Sequence, residues 1–355
     1  MIVGEINKLL TSKNKGLVKW LKQANGTPDE YKPDWSASEK QMAEEFVAGI
    51  CRQVSPGPER DESKRSFLTA SKVGKCVRAL ALEKLGAIPE PINARGKLTF
   101  SFGNMLEAMY RYLLRSIDSE QFKFIETNER QPIAIAGEET SGYYDGIIEA
   151  HWTLYWEALG GDKKWWEDTS RELGKENLRS VFEMKTMADY SFKRAVRENA
   201  VENSYGYRTQ LGLYVRQAML DKRIDIPVGV FFLVNKNTGG IAELWKTMKQ
   251  LQDDIELGDD NFSIVSGVIR NNEKLPPRPF EANAHGVIPN FPCGYCNFKY
   301  DCFSSDKVTG WELSDLNKET PQYRPLFEDI DSMDYILDLD VYKGKPVFVV
   351  KNNRN

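Results

Sequence analysis

One short stretch constrains this chain more than any other: Ser180-Val-Phe-Glu-Met-Lys-Thr186. Val181 and Phe182 favour a strand, and a polar, helix-like run follows at once. Residues two apart on a strand share a face, so Glu183 and Lys185 stand side by side. A carboxylate and an ammonium at a strand end suit a place where a metal ion and an anionic substrate meet. The same pair on an open surface is an ordinary ion pair worth little to stability. Its weight therefore depends on what the rest of the chain brings to it.

At 355 residues the chain can bury a large core, in one elaborate domain or two. Hydrophobic residues make up 41% and charged residues 28%, ordinary values for a soluble globular protein. The longest strongly apolar run, Val228–Val234, falls well short of the roughly 20 residues of a membrane helix. The first residues lack the basic and apolar regions of a secretory signal, which points to the cytoplasm and no membrane partner. A net charge of −4 gives no global case for nucleic acid, so a nucleic-acid binder of this composition must gather its cations locally.

Taken in order, residues 1–66 read as a helical accessory segment, with a capping box at Ser36-Ala-Ser-Glu39 and a buried thiol at Cys51. A helix is expected over 69–86, stopped by Gly86, and another over 103–117, with Glu107 beside its apolar stripe. Strands follow at 122–126, 132–136 and 142–150, the last with Asp145 in its middle, where an acid is disfavoured unless it has a task or a partner. Residues 151–178 form a Trp-rich insertion. Its aromatics could stack on single-stranded bases, but packing of the insertion onto the domain is the preferred reading. After the central strand come helices over 188–199 and 205–220, a strand over 227–235, a turn at Asn237-Thr-Gly-Gly240 and a hairpin strand over 241–245. A helix to Leu257 and an amphipathic stretch to Ile269 follow, and a late strand over 345–351 lies in the tail. This order implies an α/β core, a mixed central sheet flanked by helices.

Two constellations carry chemistry. If the strands of Asp145 and Glu183 are neighbours, their carboxylates converge beside Lys185, and Glu107 reaches in from a helix. Such oxygen donors suit Mg²⁺ or Mn²⁺. The metal would polarise a phosphodiester and lower the pKa of an attacking water, with Lys185 orienting that water or stabilising the transition state. The second is Cys293-x2-Cys296-x5-Cys302, three thiols within ten residues in a chain of five cysteines. Zinc or an iron–sulfur cluster asks for four ligands; Cys76 is the natural fourth, with Cys51 its competitor. His151 and His285 have no partner at metal-ligating or triad spacing and read as structural.

The order Glu107, Asp145, Glu183-Met184-Lys185, Gln210-x3-Tyr214 resembles the PD-(D/E)xK nuclease superfamily in its RecB-like branch. The resemblance covers about residues 67–303, between the accessory segment and a C-terminal tail at 304–355. It implies a restriction-endonuclease-like core in which Glu107, Asp145 and Glu183 bind metal, with Met184 counted in the same set, Lys185 is catalytic, and Gln210 and Tyr214 contribute to the active site and DNA contact. Many RecB-like members have a histidine where this chain has Glu107, and the Trp-rich insertion makes the Asp145-to-Glu183 spacing long. The one-plus-three cysteines, with Ser71-x4-Cys76-x-Arg78 ahead and Pro276-Pro277 before Phe291-Pro-Cys, resemble the iron–sulfur nucleases of that branch, the CRISPR-associated adaptation nucleases and the AddB-type helicase–nucleases. There a 4Fe–4S cluster on Cys76, Cys293, Cys296 and Cys302 would staple a helical region to the core, with zinc as the alternative.

The resemblance thus implies a Mg²⁺- or Mn²⁺-dependent deoxyribonuclease, an exonuclease preferring single-stranded or frayed ends, in repair, recombination (phage recombination included) or CRISPR adaptation. Lys and Arg on the helices at 72–84 and 193–208 would line its groove. No Gly-x4-Gly-Lys-Ser/Thr loop occurs, so the chain is read as a stand-alone nuclease or as a subunit that meets a helicase, recombinase or single-strand-binding protein in trans; ring-shaped homo-oligomers are known in the family. The alternatives are an endonuclease on duplex or branched DNA and a non-catalytic, nuclease-fold DNA-binding module.

Overall fold

The computed structural model describes residues 68–90, 94–117, 119–127, 130–281, 287–288 and 292–303. It also describes short strands between 310 and 352 and a few positions before residue 45. Most of the expected accessory segment, including Cys51, lies outside the described residues, as does His285. In chain order the helices and strands are α1 (Ala70–Val73), α2 (Val77–Lys84), α3 (Ala94–Arg115), β1 (Phe122–Glu126), β2 (Gln131–Ile135), β3 (Glu138–Gly142) and β4 (Gly146–His151). There follow α4 (Trp152–Leu159), α5 (Lys163–Leu173), β5 (Asn177–Met187), α6 (Asp189–Glu198), α7 (Tyr207–Leu220), β6 (Val228–Asn235), β7 (Ile241–Thr247) and α8 (Gln252–Arg270). The last are β8 (Val287–Ile288), α9 (Lys299–Phe303), β9 (Gly310–Glu312), β10 (Tyr323–Pro325), β11 (Tyr335–Tyr342) and β12 (Lys345–Asn352).

The chain divides into two compact units, each built from two separate stretches. The first comprises residues 1–74 and 92–259, the second residues 75–91 and 260–355.

The first unit is a mixed α/β fold. Its five-stranded sheet runs β1-β4-β5-β6-β7, and only β5 and β6 are parallel. Parallel neighbours need a long crossover, and α6 and α7 supply it. Every residue of β6 is buried, as its unbroken apolar run demands of a central strand covered on both faces. One face takes α3, where the Tyr110 ring meets Phe232 edge-on at 5.6 Å. The other takes α7, whose Leu211 and Val215 press onto Gly229. Ile2 is fully buried in the same core. The Trp-rich insertion becomes α4 and α5 and packs on the sheet. Tyr155 is wholly buried between Trp166 and Trp245, its hydroxyl donating to the Leu178 carbonyl at 2.9 Å. Asp225 ties the start of β5 down, taking hydrogen bonds from the Arg179 backbone and guanidinium and from Lys175.

Two expectations need correcting. The 69–86 helix is broken at 74–76, because Gly74 is wedged where a Cβ would lie 2.5 Å from Thr209. Asp145 is not in mid-strand. Gly142 ends β3, an unexpected strand that pairs with β2 in a separate two-stranded sheet; residues 143–145 lie in neither strand, and β4 joins the main sheet only at Gly146. The stretch after β7 is a short 3-10 turn followed by one continuous helix, α8.

In the second unit α2 lies against α9, the Glu90 amide donates to the Asn297 carbonyl at 2.8 Å, and Lys299 pairs with Glu90. A three-stranded sheet β10-β9-β8 and the hairpin β11-β12 complete it; the expected late strand at 345–351 is β12. No helix among the described residues is long and apolar enough to cross a membrane.

Candidate active site

The site forms where β5 runs out toward its carboxyl end, the edge at which open α/β sheets bind ligands. Antiparallel pairing puts Gly146 opposite Phe182, so Asp145 arrives beside Glu183. A side chain at 146 would be fatal to that approach: its Cβ would stand 2.4 Å from the Phe124 ring and 2.8 Å from the Ile125 carbonyl oxygen.

Glu183 and Lys185 share a face as expected, with Nζ 2.6 Å from Oε1. From α7, buried Gln210 donates to the same oxygen at 2.9 Å and to the Tyr214 hydroxyl at 3.0 Å. Tyr214 is buried against Tyr144, ring centroids 5.8 Å apart. Glu183 is 2% exposed, and its second oxygen, Oε2, is buried with no hydrogen-bond partner. Burial therefore pushes its carboxyl up to about 8, with help from Asp145 and Glu107 and against the pull of Lys185. Lys185 goes the other way from an ordinary buried lysine. Burial opposes its charge, but Glu183 and Asp145 outweigh that and hold the ammonium above its usual range.

Asp145 Oδ2 accepts the Met184 backbone N–H at 2.8 Å, and Oδ1 accepts Arg111 Nη2 at 2.5 Å. The Met184 side chain is buried in the core, with Phe182 and Phe232. Glu107 reaches the site from α3: its carboxyl is raised by burial first and by Asp145 next, while Lys185, Arg111 and Lys236 pull it down. All six expected residues of the catalytic set, Glu107, Asp145, Glu183, Lys185, Gln210 and Tyr214, are thus gathered in the first unit.

Two residues went unread in the sequence. Arg111 bridges Asp145 and Glu126, the latter also bonded to Arg115. It lies one helical turn beyond Glu107, so the i, i+4 rule could have found it. Tyr207, one turn before Gln210, sets its ring 5.0 Å from Lys185 Nζ. The expected cationic helix is engaged locally: Lys193 pairs with Asp189, Arg194 and Arg197 with Glu198, and Arg208 with Asp254.

The four expected thiols all fall in the second unit. Cys76, Cys296 and Cys302 each raise Cys293, whose thiol burial pushes up to about 12. Burial raises the Cys302 thiol as well, and Arg78 and Arg278 oppose that. Arg78 is fixed by a 2.7 Å bond to the Pro276 carbonyl, and Arg278 lies over the Phe303 ring. His151 is structural, capping α4 by accepting from the Thr153 amide.

Among the described residues no group of three or more His, Cys, Asp or Glu side chains is assembled to hold a metal ion as it stands. The donor chemistry nonetheless fits. Glu183 offers a buried carboxylate oxygen with no hydrogen-bond partner, and Cys76, Cys293, Cys296 and Cys302 in the second unit offer thiols, the donor type that zinc or an iron–sulfur cluster takes.

Neither a family model nor a curated protein matches the chain. Among solved structures it is similar to one titled "Crystal structure of SSO0001", with 14% identity, 74% of this chain and 94% of that chain covered, and a TM-score of 0.35. A likeness at that score establishes neither a shared fold nor a shared function.

Proposed function

We propose that this chain is a divalent-metal-dependent deoxyribonuclease of the RecB-like PD-(D/E)xK kind, hydrolysing phosphodiesters from single-stranded or frayed DNA ends. The observation that carries the reading is Glu183 Oε2. A carboxylate oxygen buried without a partner costs about 1–3 kcal/mol or more, and a bound Mg²⁺ or Mn²⁺ would remove that cost. Glu183, Asp145 and Glu107 would hold the metal, which would supply Lewis-acid stabilisation of the phosphoryl oxygens.

The chain's own residues do the rest. Lys185 is held charged, so it donates hydrogen bonds and charge to the attacking water or the reacting phosphate and does not take a proton. Tyr207 supports that ammonium from below. Gln210 pins Glu183 Oε1, which leaves Oε2 as the oxygen free for the metal. Water attacks the phosphorus directly, and no covalent enzyme intermediate is needed. In the second unit, Cys76, Cys293, Cys296 and Cys302 would hold a 4Fe–4S cluster, with zinc as the alternative.

Digestion of end-labelled single-stranded DNA in Mg²⁺ or Mn²⁺ tests the reading. Lys185→Ala should lose activity by at least about 100-fold, in line with removal of one transition-state donor, while keeping the wild-type melting curve. Full activity in that variant would defeat the assignment. Degradation of a closed single-stranded circle would move the reading to an endonuclease.

One observation favours the non-catalytic alternative. Asp145 already has both oxygens engaged, by Arg111 and by the Met184 amide. Each carboxylate oxygen keeps a second lone pair, so the hydrolytic reading stands unless the protein binds DNA in Mn²⁺ without cutting it.

A further inference from the structure

Lys236 belongs to no part of the machinery above, yet the fold holds it beside that machinery with care. It follows β6 directly, at the carboxyl end of the parallel pair that carries Lys185. The backbone of its turn is fixed from several sides. Lys236 N–H donates to the Met187 carbonyl at 2.8 Å, and the Tyr110 hydroxyl donates to the Gly239 carbonyl at 2.9 Å. Asn235 bonds the Asp189 carboxylate at 2.8 Å, and Asn237 accepts the Asp189 amide at 2.9 Å. A turn so pinned gives its side chain a defined origin.

The side chain then runs past bare backbone. A Cβ on Gly103 of α3 would lie 3.3 Å from Lys236 Nζ, 3.6 Å from its Cε and 3.0 Å from Thr186 Oγ1. Gly103, buried and one helical turn before Glu107, lets the lysine pack close against α3 on the side of the carboxylates. Its ammonium makes no hydrogen bond or ion pair among the described residues, although most other cations near the site do. Glu107 is the charged group it feels, at longer range, and partial burial works against its charge. A half-buried ammonium with no anion within hydrogen-bond reach costs stability, which an external anion would recover.

We propose that Lys236 is a substrate-positioning residue that takes a backbone phosphate of the DNA strand next to the one being cut. The inference rests on the nuclease reading and adds to it the residue that sets the strand's register across the site. Thr186, whose hydroxyl also borders Gly103, offers a second donor to the same phosphate. An ammonium used this way recognises phosphate and not base, so it confers no sequence preference.

The test is salt-dependent binding of a fluorophore-labelled oligodeoxythymidylate to the full-length Asp145→Asn protein in Ca²⁺, with and without Lys236→Met. Losing one phosphate contact on a single strand should lower the slope of log K against log salt by about 0.7. Binding should weaken several-fold at low salt, and Lys236→Arg should restore the slope. A fold defect would weaken binding without this charge-specific rescue, so failure of Lys236→Arg to restore the slope overturns the proposal. An unchanged slope and affinity in Lys236→Met overturns it while leaving the nuclease reading intact. No binding by the Asp145→Asn protein at any salt, with Lys236 present, sinks both.

Discussion

At the scale of single residues, the central fact is that a glutamate has been buried with one oxygen satisfied twice and the other not at all. Burial raises its carboxyl to about 8, so a proton competes with a metal ion for it through the neutral range. A metal ion arriving there must displace the proton, so metal binding should release it. Affinity for Mn²⁺ should then rise with pH, by up to about tenfold per unit, and level off above about pH 8. Calorimetric titration across that range checks this, and Glu183→Gln should flatten the profile. A pH-independent affinity in the wild-type protein would show that the proton sits elsewhere. The sequence made Glu183 and Lys185 legible because strand periodicity alone puts them together. It did not reveal that Oε2 lacks a partner, since that depends on how α7 spends Gln210 on the other oxygen. Nor did it reveal Arg111, whose pairing with Asp145 needs a helix and a strand end to meet.

At the scale of elements, the site depends on how closely strands can be brought together. β4 approaches β1 only because Gly146 carries no side chain. Gly146→Ala should force the Phe124 ring or the Ile125 carbonyl aside, at a cost of about 1–3 kcal/mol. The shift should reach Asp145 next to it, so the urea midpoint and the DNA-cleavage rate should fall together. A variant with wild-type stability would mean that β1 yields more easily than its packing implies. The strands themselves were readable, β6 best of all from its unbroken apolar run. The place of Asp145 was misjudged by pattern, because Tyr143 and Tyr144 read as strand continuous with β4, while β3 over 138–142 went unread. The separation of β3 from β4 is decided by pairing partners, β2 for one and β5 for the other, and no local periodicity carries that information. The break in the 69–86 helix has the same origin: Gly74 is stopped by Thr209, a residue remote in sequence.

At the scale of the whole molecule, the cysteines and the carboxylates lie in different units. Serine at Cys76, Cys293, Cys296 or Cys302 should lower bound iron or zinc and the melting temperature, whereas serine at Cys51 should change neither. Metal analysis beside differential scanning calorimetry reads both. Equal loss at Cys51 would show that the wrong fourth thiol had been chosen. Ligand arithmetic pointed to Cys76 as the companion of the distant trio, and the structure places all four in the second unit. The division into interleaved units was not legible, because a 17-residue excursion, 75–91, looks in sequence like part of the helix it interrupts. That excursion has a consequence for how the protein is made. Cys76 leaves the ribosome more than 200 residues ahead of Cys293. At roughly 5–20 residues per second, this first thiol waits about 10–40 s for its companions. Meanwhile the sheet from β1 to β7 is synthesised entirely within the interval. The second unit is therefore completed only after the strands of the first have been made, and the time before it closes is set by translation speed.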